Sequence, residues 1–304
     1  MKKYMILAVS ALLFVACSND EEIDNWNGEI RLCTTTQLQT RAAQNLQATQ
    51  FAANENVDIF ISEAADSPTY TYPQPIEYTA DGTGGLNTYM DAPRYPTTGN
   101  GVNIFGVYPA GIASSADADV VFSVMEDQSS DANYNASDLM IGAAANPVSR
   151  QAGSVAVTFS HMLSKININV EIGTGLTADS LANATVSILN TLPSTTFNIT
   201  NGEIGAASGA SAAAAFDITA GTLSANAMNH SAIIVPQLLE EESEFIQIVL
   251  ESGTKLTYIL PANTTFVSGN VYTYNLTANR YEITATTSIT NWVTGAEVTG
   301  EASN

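Results

Sequence analysis

The sequence predicts an all-β protein of two tandem β-sandwich domains behind an export signal. Three observations carry this. After residue 150, apolar and polar residues alternate with a period of two, the pattern of strands with one buried and one wet face. Helical periodicity is nearly absent. Short runs are separated by turn signals such as Asn201-Gly202, Ser252-Gly253 and Ser268-Gly269-Asn270, the spacing expected of a sandwich. A length of 304 residues suits one or two domains.

The first element is the export signal, residues 1–16. Lys2 and Lys3 form a positive n-region, and Met5 to Ala16 is an apolar run of the length of a signal h-region. A membrane-spanning helix needs about 20 residues, so this run is too short to be one. It ends in Phe14-Val15-Ala16-Cys17, which resembles a lipobox, with Phe14 where Leu is usual. The expectation is that Cys17 is acylated and becomes the mature N-terminus. The competing reading is an ordinary secretory signal with a chance cysteine. Ser18-Asn19-Asp20-Glu21-Glu22 resembles the surface-export tag of lipoproteins in Bacteroides-like bacteria; a solvated acidic linker would look similar. Two or more acyl chains hold stably in a membrane, at about 0.8 kcal/mol per buried methylene. The expected location is therefore the cell surface, lipid-anchored to the outer membrane.

Hydrophobic residues make up 45% of the chain and charged residues 13%, enough apolar material for a sizeable core. All 30 acidic residues lie after Cys17, and the signal removes two lysines, so the mature charge is more negative than −21. Such a surface repels phosphates, which argues against nucleic-acid partners. With Cys17 acylated, Cys33 has no second cysteine to pair with. It is read as a buried or incidental thiol, and stability is assigned to the core.

The strands follow in order. Glu29–Thr36 alternates and leads into a polar stretch, Gln37–Gln50. Val57–Ser62, Tyr70–Tyr72, Pro75–Thr79, Val102–Tyr108 and Val120–Val124 read as strands of a first domain, residues 42–160. Pro- and Gly-rich stretches between them read as surface loops or edges. In Val155–Phe159, Val155, Val157 and Phe159 form the apolar face. After a turn at His161–Ser164, Ile166, Ile168, Val170 and Ile172 alternate with Lys165, Asn167, Asn169 and Glu171. Both runs read as antiparallel strands. The second domain, residues 161–304, continues through Thr185–Leu189, Thr196–Thr200, Phe216–Thr219, Ala232–Val235, Phe245–Glu251, Lys255–Leu260, Val271–Leu276 and Tyr281–Ile289. Gly205–Ala215 reads as a flexible loop.

No catalytic constellation emerges, and the chain is not read as an enzyme. His161 and His230 are far apart in sequence, and no GxSxG, HExxH, P-loop or CxxC pattern occurs. No cofactor and no metal are expected. The glycines of Asp81-Gly82-Thr83-Gly84-Gly85 fit a hairpin tip better than a phosphate cradle. Tyr70, Tyr72, Tyr78, Tyr89, Tyr95 and Tyr108 could stack on sugars or pack strand edges. Asp179-Ser180-Leu181 matches a short O-glycosylation acceptor pattern.

Four features together resemble the fimbrillins of the Bacteroides and Porphyromonas type, a family of pilus subunits. They are the lipobox at Cys17; the strand Glu29–Thr36 leading into Gln39-Thr40-Arg41-Ala42; Asp138-Leu139-Met140 followed by Val155–Phe159, His161 and Lys165–Val170; and Ile233–Gln237, Thr257–Ile259, Ser268–Leu276 and Ile289–Trp292. The resemblance implies transthyretin-like Greek-key sandwiches and a role in fimbrial assembly and adhesion. It implies cutting after Arg41, before Ala42, by a trypsin-like protease, so that residues 17–41 form a lipidated linker and a removable strand. Ile30 and Leu32 would leave a groove that another subunit's C-terminal strand fills. The best donor is the tail 281–298, where Tyr281, Ile283, Ala285, Thr287 and Ile289 share one face. Burying about five such side chains at ~1.5–3 kcal/mol each supplies roughly 10 kcal/mol gross. Expected partners are other fimbrial subunits, the protease, the outer membrane and a surface glycan or protein. The alternative is a glycan-binding surface lipoprotein that never polymerises, whose tail stays an intrachain strand.

Overall fold

The structure is a computed structural model, and it describes residues 26–36, 51–209, 216–224 and 228–292. The first eight strands are β1 (Leu32–Thr36), β2 (Asn56–Glu63), β3 (Ile76–Ala80), β4 (Gly85–Asn87), β5 (Val102–Tyr108), β6 (Val120–Ser123), β7 (Met140–Ala143) and β8 (Val155–His161). All but β6 close into a barrel in the order β1-β4-β3-β2-β5-β7-β8. Alternation explains the inside of the barrel. Val57, Ile59, Ile61, Ile76, Tyr78, Ile104, Val157 and Phe159 are buried there together. The intervening residues Phe60 and Val107 pack instead with the rest of the molecule. That is why β2 is buried on both faces. Phe159 fills the barrel centre, edge-on to Phe51 at 5.0 Å. Its ring requires glycine on β5 and β7: a Cβ at Gly106 or Gly142 would lie 2.6 or 2.9 Å from it.

The remaining strands are β9 (Ser164–Ile172), β10 (Thr185–Thr191), β11 (Ser194–Asn198), β12 (Glu203–Ile204), β13 (Phe216–Thr222), β14 (Asn229–Ile234), β15 (Leu238–Leu239), β16 (Glu244–Val249), β17 (Lys255–Ile259), β18 (Thr264–Thr265), β19 (Asn270–Ala278) and β20 (Ile283–Asn291). Two four-stranded sheets form, β13-β10-β16-β17 and β14-β9-β19-β20. Their alternating apolar residues, including Ile166, Ile168, Val186, Ile188, Ile246, Ile248, Tyr274 and Leu276, make one core. The short pair β15–β18 lies outside both sheets.

Several expectations need correction. The strand expected at Val120–Val124 forms as β6, but it pairs with β11 in a three-stranded sheet with β12, not with the barrel. Tyr70–Tyr72 joins no sheet. The Glu63 carboxylate accepts the backbone N–H groups of Thr69 and Tyr70, at 2.7 and 2.8 Å, so a side chain satisfies donors a ladder would have used. Thr196–Thr200 is displaced two residues, to β11. The strands β8 and β9 are not purely antiparallel: β8 runs parallel to β1 and β9 parallel to β19. Lys165, expected on a wet face, is buried, whereas Ile172, at the end of β9, is exposed. Two short helices were not expected, α1 (Asp131–Ala136) and α2 (Ala178–Leu181). Each is started by a hydroxyl cap, Ser130 accepting from the Asn133 N–H and Thr177 from the Ser180 N–H.

The tip at Asp81–Gly85 is the expected hairpin, joining β3 to β4. Asp81 Oδ1 accepts the N–H groups of Thr83 and Gly85, an Asx-turn that fixes the reversal.

Candidate assembly site

The first part of the site is the slot that β1 fills. This strand is not at an outer edge. It pairs antiparallel with β4, Leu32 opposite Leu86, and parallel with β8 from Leu32↔Val155 to Thr36↔Phe159. It thereby joins two strands that would otherwise be free edges. The flanking chain is also held: the Ile30 N–H donates to Pro93 O at 2.7 Å, and the Val155 N–H to Arg31 O at 2.8 Å. Ile30 and Leu32 both face the barrel core and are buried, as the alternation predicted. Arg31 points outward and is exposed. At the mouth of the slot the Arg150 guanidinium lies over the Trp26 ring, 4.7 Å from its centroid.

Cys33 is a correction. It is buried and disulfide-bonded, not the lone thiol expected. Cys17, Arg41 and Ala42 themselves lie outside the described residues.

The second part is β20. It pairs with β19 along its whole length, from Ile283↔Ala278 to Asn291↔Asn270, and ends its sheet. In this chain the strand is intrachain. Of the residues expected to share a face, Ile283 and Ala285 are half-buried and pack on the core, Thr287 is exposed, and Ile289 is 47% exposed. Tyr281 precedes the strand and is 85% exposed. One side of β20 is thus a ladder of nine register pairs, and most of its side chains make no core.

The third part is where β20 ends. Trp292 is fully buried and stacks on His161, ring centroids 4.1 Å apart and planes 7° from parallel. His161 closes β8, and its Nδ1 donates to Asp138 Oδ1 at 2.8 Å. Asp138 follows α1 and is fully buried. Lys165, in β9, is buried beside them. Burial pushes its ammonium down to about 8, against the opposing pull of Asp138. The junction is stitched by backbone: Met162 N–H to Leu139 O, and Gly269 N–H to Leu163 O, both 2.9 Å. The Trp292 N–H donates to Gly269 O. Asp138, His161, Lys165 and Trp292 lie far apart in the chain, but all four fall within the segments that carry the fimbrillin resemblance.

The tyrosines resolve as packing. Tyr72, Tyr78, Tyr95 and Tyr108 are buried, and only Tyr89 of the set is fully open, at 90% exposure. Among the described residues no group of three or more His, Cys, Asp or Glu could hold a metal ion, and no helix is long and apolar enough to cross a membrane. The Ser180 hydroxyl of the acceptor-like Asp179-Ser180-Leu181 accepts the Thr177 N–H at 2.7 Å and donates to Thr177 O at 2.8 Å.

Glu63 yields the first prediction. Hydrogen bonds from Thr98 and Asn100, then from the Tyr70 and Thr69 backbone, hold its carboxyl down at about 2. Its folded value lies below the ordinary 4.5, so its stabilising contribution is complete above about pH 4.5. That contribution is lost as pH falls through 2. The thermal midpoint should drop over that window in the wild type and less steeply in Glu63→Gln, measured by circular dichroism from pH 6 to 2.

The sequence model of the fimbrillin-like family matches residues 40–292. The chain belongs to the fimbrillin-like family. No curated protein matches. Among solved structures, the fimbrillin-like chain is similar to a candidate cell adhesion protein from Bacteroides uniformis, with 18% identity, TM-score 0.66, 89% of this chain and 100% of that one covered. A candidate cell adhesion protein from Bacteroides ovatus has 19% identity, TM-score 0.67, 88% and 99% covered. A fimbrial protein from Bacteroides vulgatus has 14% identity, TM-score 0.51, 86% and 99% covered. At these identities the likeness is one of fold, and the fold is the all-β one expected.

Proposed function

We propose that this fimbrillin-like chain is a fimbrial subunit for surface adhesion. It is exported to the outer membrane as a lipoprotein anchored at Cys17, cut after Arg41 by a trypsin-like protease, and assembled by strand exchange. In that exchange a subunit's C-terminal strand, within 281–298, enters the slot that β1 leaves in its neighbour. The observation that carries this reading is the position of β1. It is a short strand that completes a barrel between β4 and β8, and Arg41 follows it by five residues. The family match begins at residue 40, beyond β1, which is consistent with a mature subunit that lacks it. A vacated slot would present two strand edges and an open apolar lining, the condition that favours β-augmentation. The buried tyrosines favour this reading over a sugar-stacking surface.

Maturation after Arg41 removes both Cys17 and Cys33, so neither lipid nor disulfide remains on the polymerised subunit. Before it, the two modifications are exclusive, because acylation at Cys17 takes one of the chain's two sulfurs. Precursor labelled in cells with a palmitate analogue should lose the label in Cys17→Ala. Equal labelling in the mutant would remove the lipoprotein part of the reading. Subunits in the polymer should begin at Ala42 on N-terminal sequencing.

A further inference from the structure

The strand to be donated is held in two unlike ways, and the difference matters. Along Ile283–Asn291 it has a ladder on one side only, and from Thr286 to Asn291 every side chain is exposed. An edge strand with so little core frays easily, since local stability follows buried apolar contact. At its end, Trp292 is the opposite case: fully buried, stacked on His161 and fixed to Gly269 through its backbone N–H.

We infer that Trp292 is the latch of the C-terminal strand. Its insertion against the Asp138–His161 pair keeps β20 in place in the unassembled subunit, and its withdrawal frees the strand for exchange. The inference rests on the strand-exchange reading for its biological use, but the latch itself is a property of the single chain. Three features make this a latch and not merely a core residue. The residue sits at the terminus of the strand, so withdrawing it peels β20 from one end without disturbing β9 or β14. Its aromatic partner, His161, belongs to β8, the strand that also flanks β1 along Val155–Phe159. Loss of β1 and release of β20 can therefore be felt through one strand. Third, the fit is imperfect. Among the described residues, Trp292 Nε1 and Asp138 Oδ2 are buried with no hydrogen-bond partner, and unmet polar atoms weaken an otherwise tight plug.

The mechanism orders events. While β1 is present, β8 is paired on both sides, with β1 and β7, and His161 is held parallel to the indole. Once β1 leaves, β8 is paired only with β7, His161 gains freedom, and the stack loosens. The same cut that opens the acceptor slot thus loosens the donor strand, and a precursor that keeps β1 keeps its tail docked.

The test is hydrogen–deuterium exchange on the full uncut chain as a monomer, read peptide by peptide. Trp292→Ala should raise exchange of the Ile283–Asn291 amides at least tenfold, with β9, β10 and β14 unchanged, and Trp292→Phe should raise it less. His161→Ala should act in the same direction as Trp292→Ala. Unchanged exchange in β20 would show that the ladder alone holds the strand and would overturn the latch. An equal rise across β9, β10, β14, β16 and β19 would also overturn it, by showing an ordinary core residue. Exchange is measured without assembly, so the two ideas fail separately. A latch that opens in Trp292→Ala chains that never cross-link after cutting would sink the strand-exchange reading and leave the latch standing.

Discussion

A chain that begins at Ala42, purified without a donor, should unfold about 10 °C below the full chain and bind a hydrophobic dye. Residues Ile30 and Leu32 are lost from the barrel core, and burial of two such side chains is worth about 3–6 kcal/mol. Domains of this size shift by about 2–4 °C per kcal/mol, which gives that order of fall. The truncation also uncovers Leu86 and Val155, the register partners of Leu32, and strips one side of β8 of its ladder. Total stability of a folded domain is only about 5–15 kcal/mol, so the truncated barrel is close to its limit. A synthetic peptide of residues 281–298 should restore most of the loss. Leu32→Asp in the uncut chain should reproduce part of it, because an ionised carboxylate cannot enter that core without a partner to compensate its charge. Differential scanning fluorimetry with and without the peptide reads both. An unchanged midpoint in the truncated chain would mean that β1 contributes nothing to the barrel.

The second large effect is at the junction. Asp138→Ala should cost about 3–5 kcal/mol, the usual penalty for removing one partner of a buried charged pair. The loss strikes twice, since Asp138 accepts from His161 and is the one charge that opposes the desolvation of Lys165. Asp138→Asn should cost less, because the amide oxygen still accepts from His161. Lys165 adds a pH signature with a definite sign. Its folded value is lowered from 10.5 to about 8, so between those values the unfolded chain binds more protons than the folded one. Wild-type stability should therefore rise, not fall, from pH 8 towards 10. Denaturant titrations at three pH values check it. In Asp138→Ala the Lys165 value falls further, and the rise should begin at a lower pH.

Much of this architecture could be read from the chain. Strict alternation located β8, β9, β10, β16 and β19, because a strand with one wet face writes its period into the sequence. The core positions Val157, Phe159, Ile166 and Ile168 were legible for the same reason. The asparagine-glycine and serine-glycine turns and the glycine-rich tip at Asp81–Gly85 were legible from their local chemistry. What could not be read was pairing. Nothing in Val120–Ser123 says that it leaves the barrel strands and joins β11, since partner choice is set by packing between distant segments. The parallel pairings of β1 with β8 and β9 with β19 were hidden likewise. The short strands β4, β7, β12, β15 and β18 carry too few residues to show a period. Within the site, Ile30 and Leu32 were correctly assigned to the core because they alternate with exposed Arg31. The partial exposure of β20 was missed, because Ile283, Ala285, Thr287 and Ile289 share a face but the opposing sheet covers only the first two. Asp138, His161 and Trp292 were each legible as parts of fimbrillin-like motifs, but their contact was not, because they meet only through the fold.

The most direct test of assembly uses the absence of native cysteines downstream of Arg41. Asn87→Cys in β4 and Ser288→Cys in β20, both exposed positions, are made in separate chains, cut after Arg41 and mixed under assembly conditions with a short bifunctional thiol cross-linker. Strand exchange predicts covalent dimers that join one chain's β20 to the other's β4, absent before cutting and absent when either cysteine is omitted. Mixed, cut chains that give no intermolecular adduct, while a chain carrying Ser288→Cys with its β19 register partner Thr273→Cys cross-links within itself and reports β20 still docked, would contradict the account.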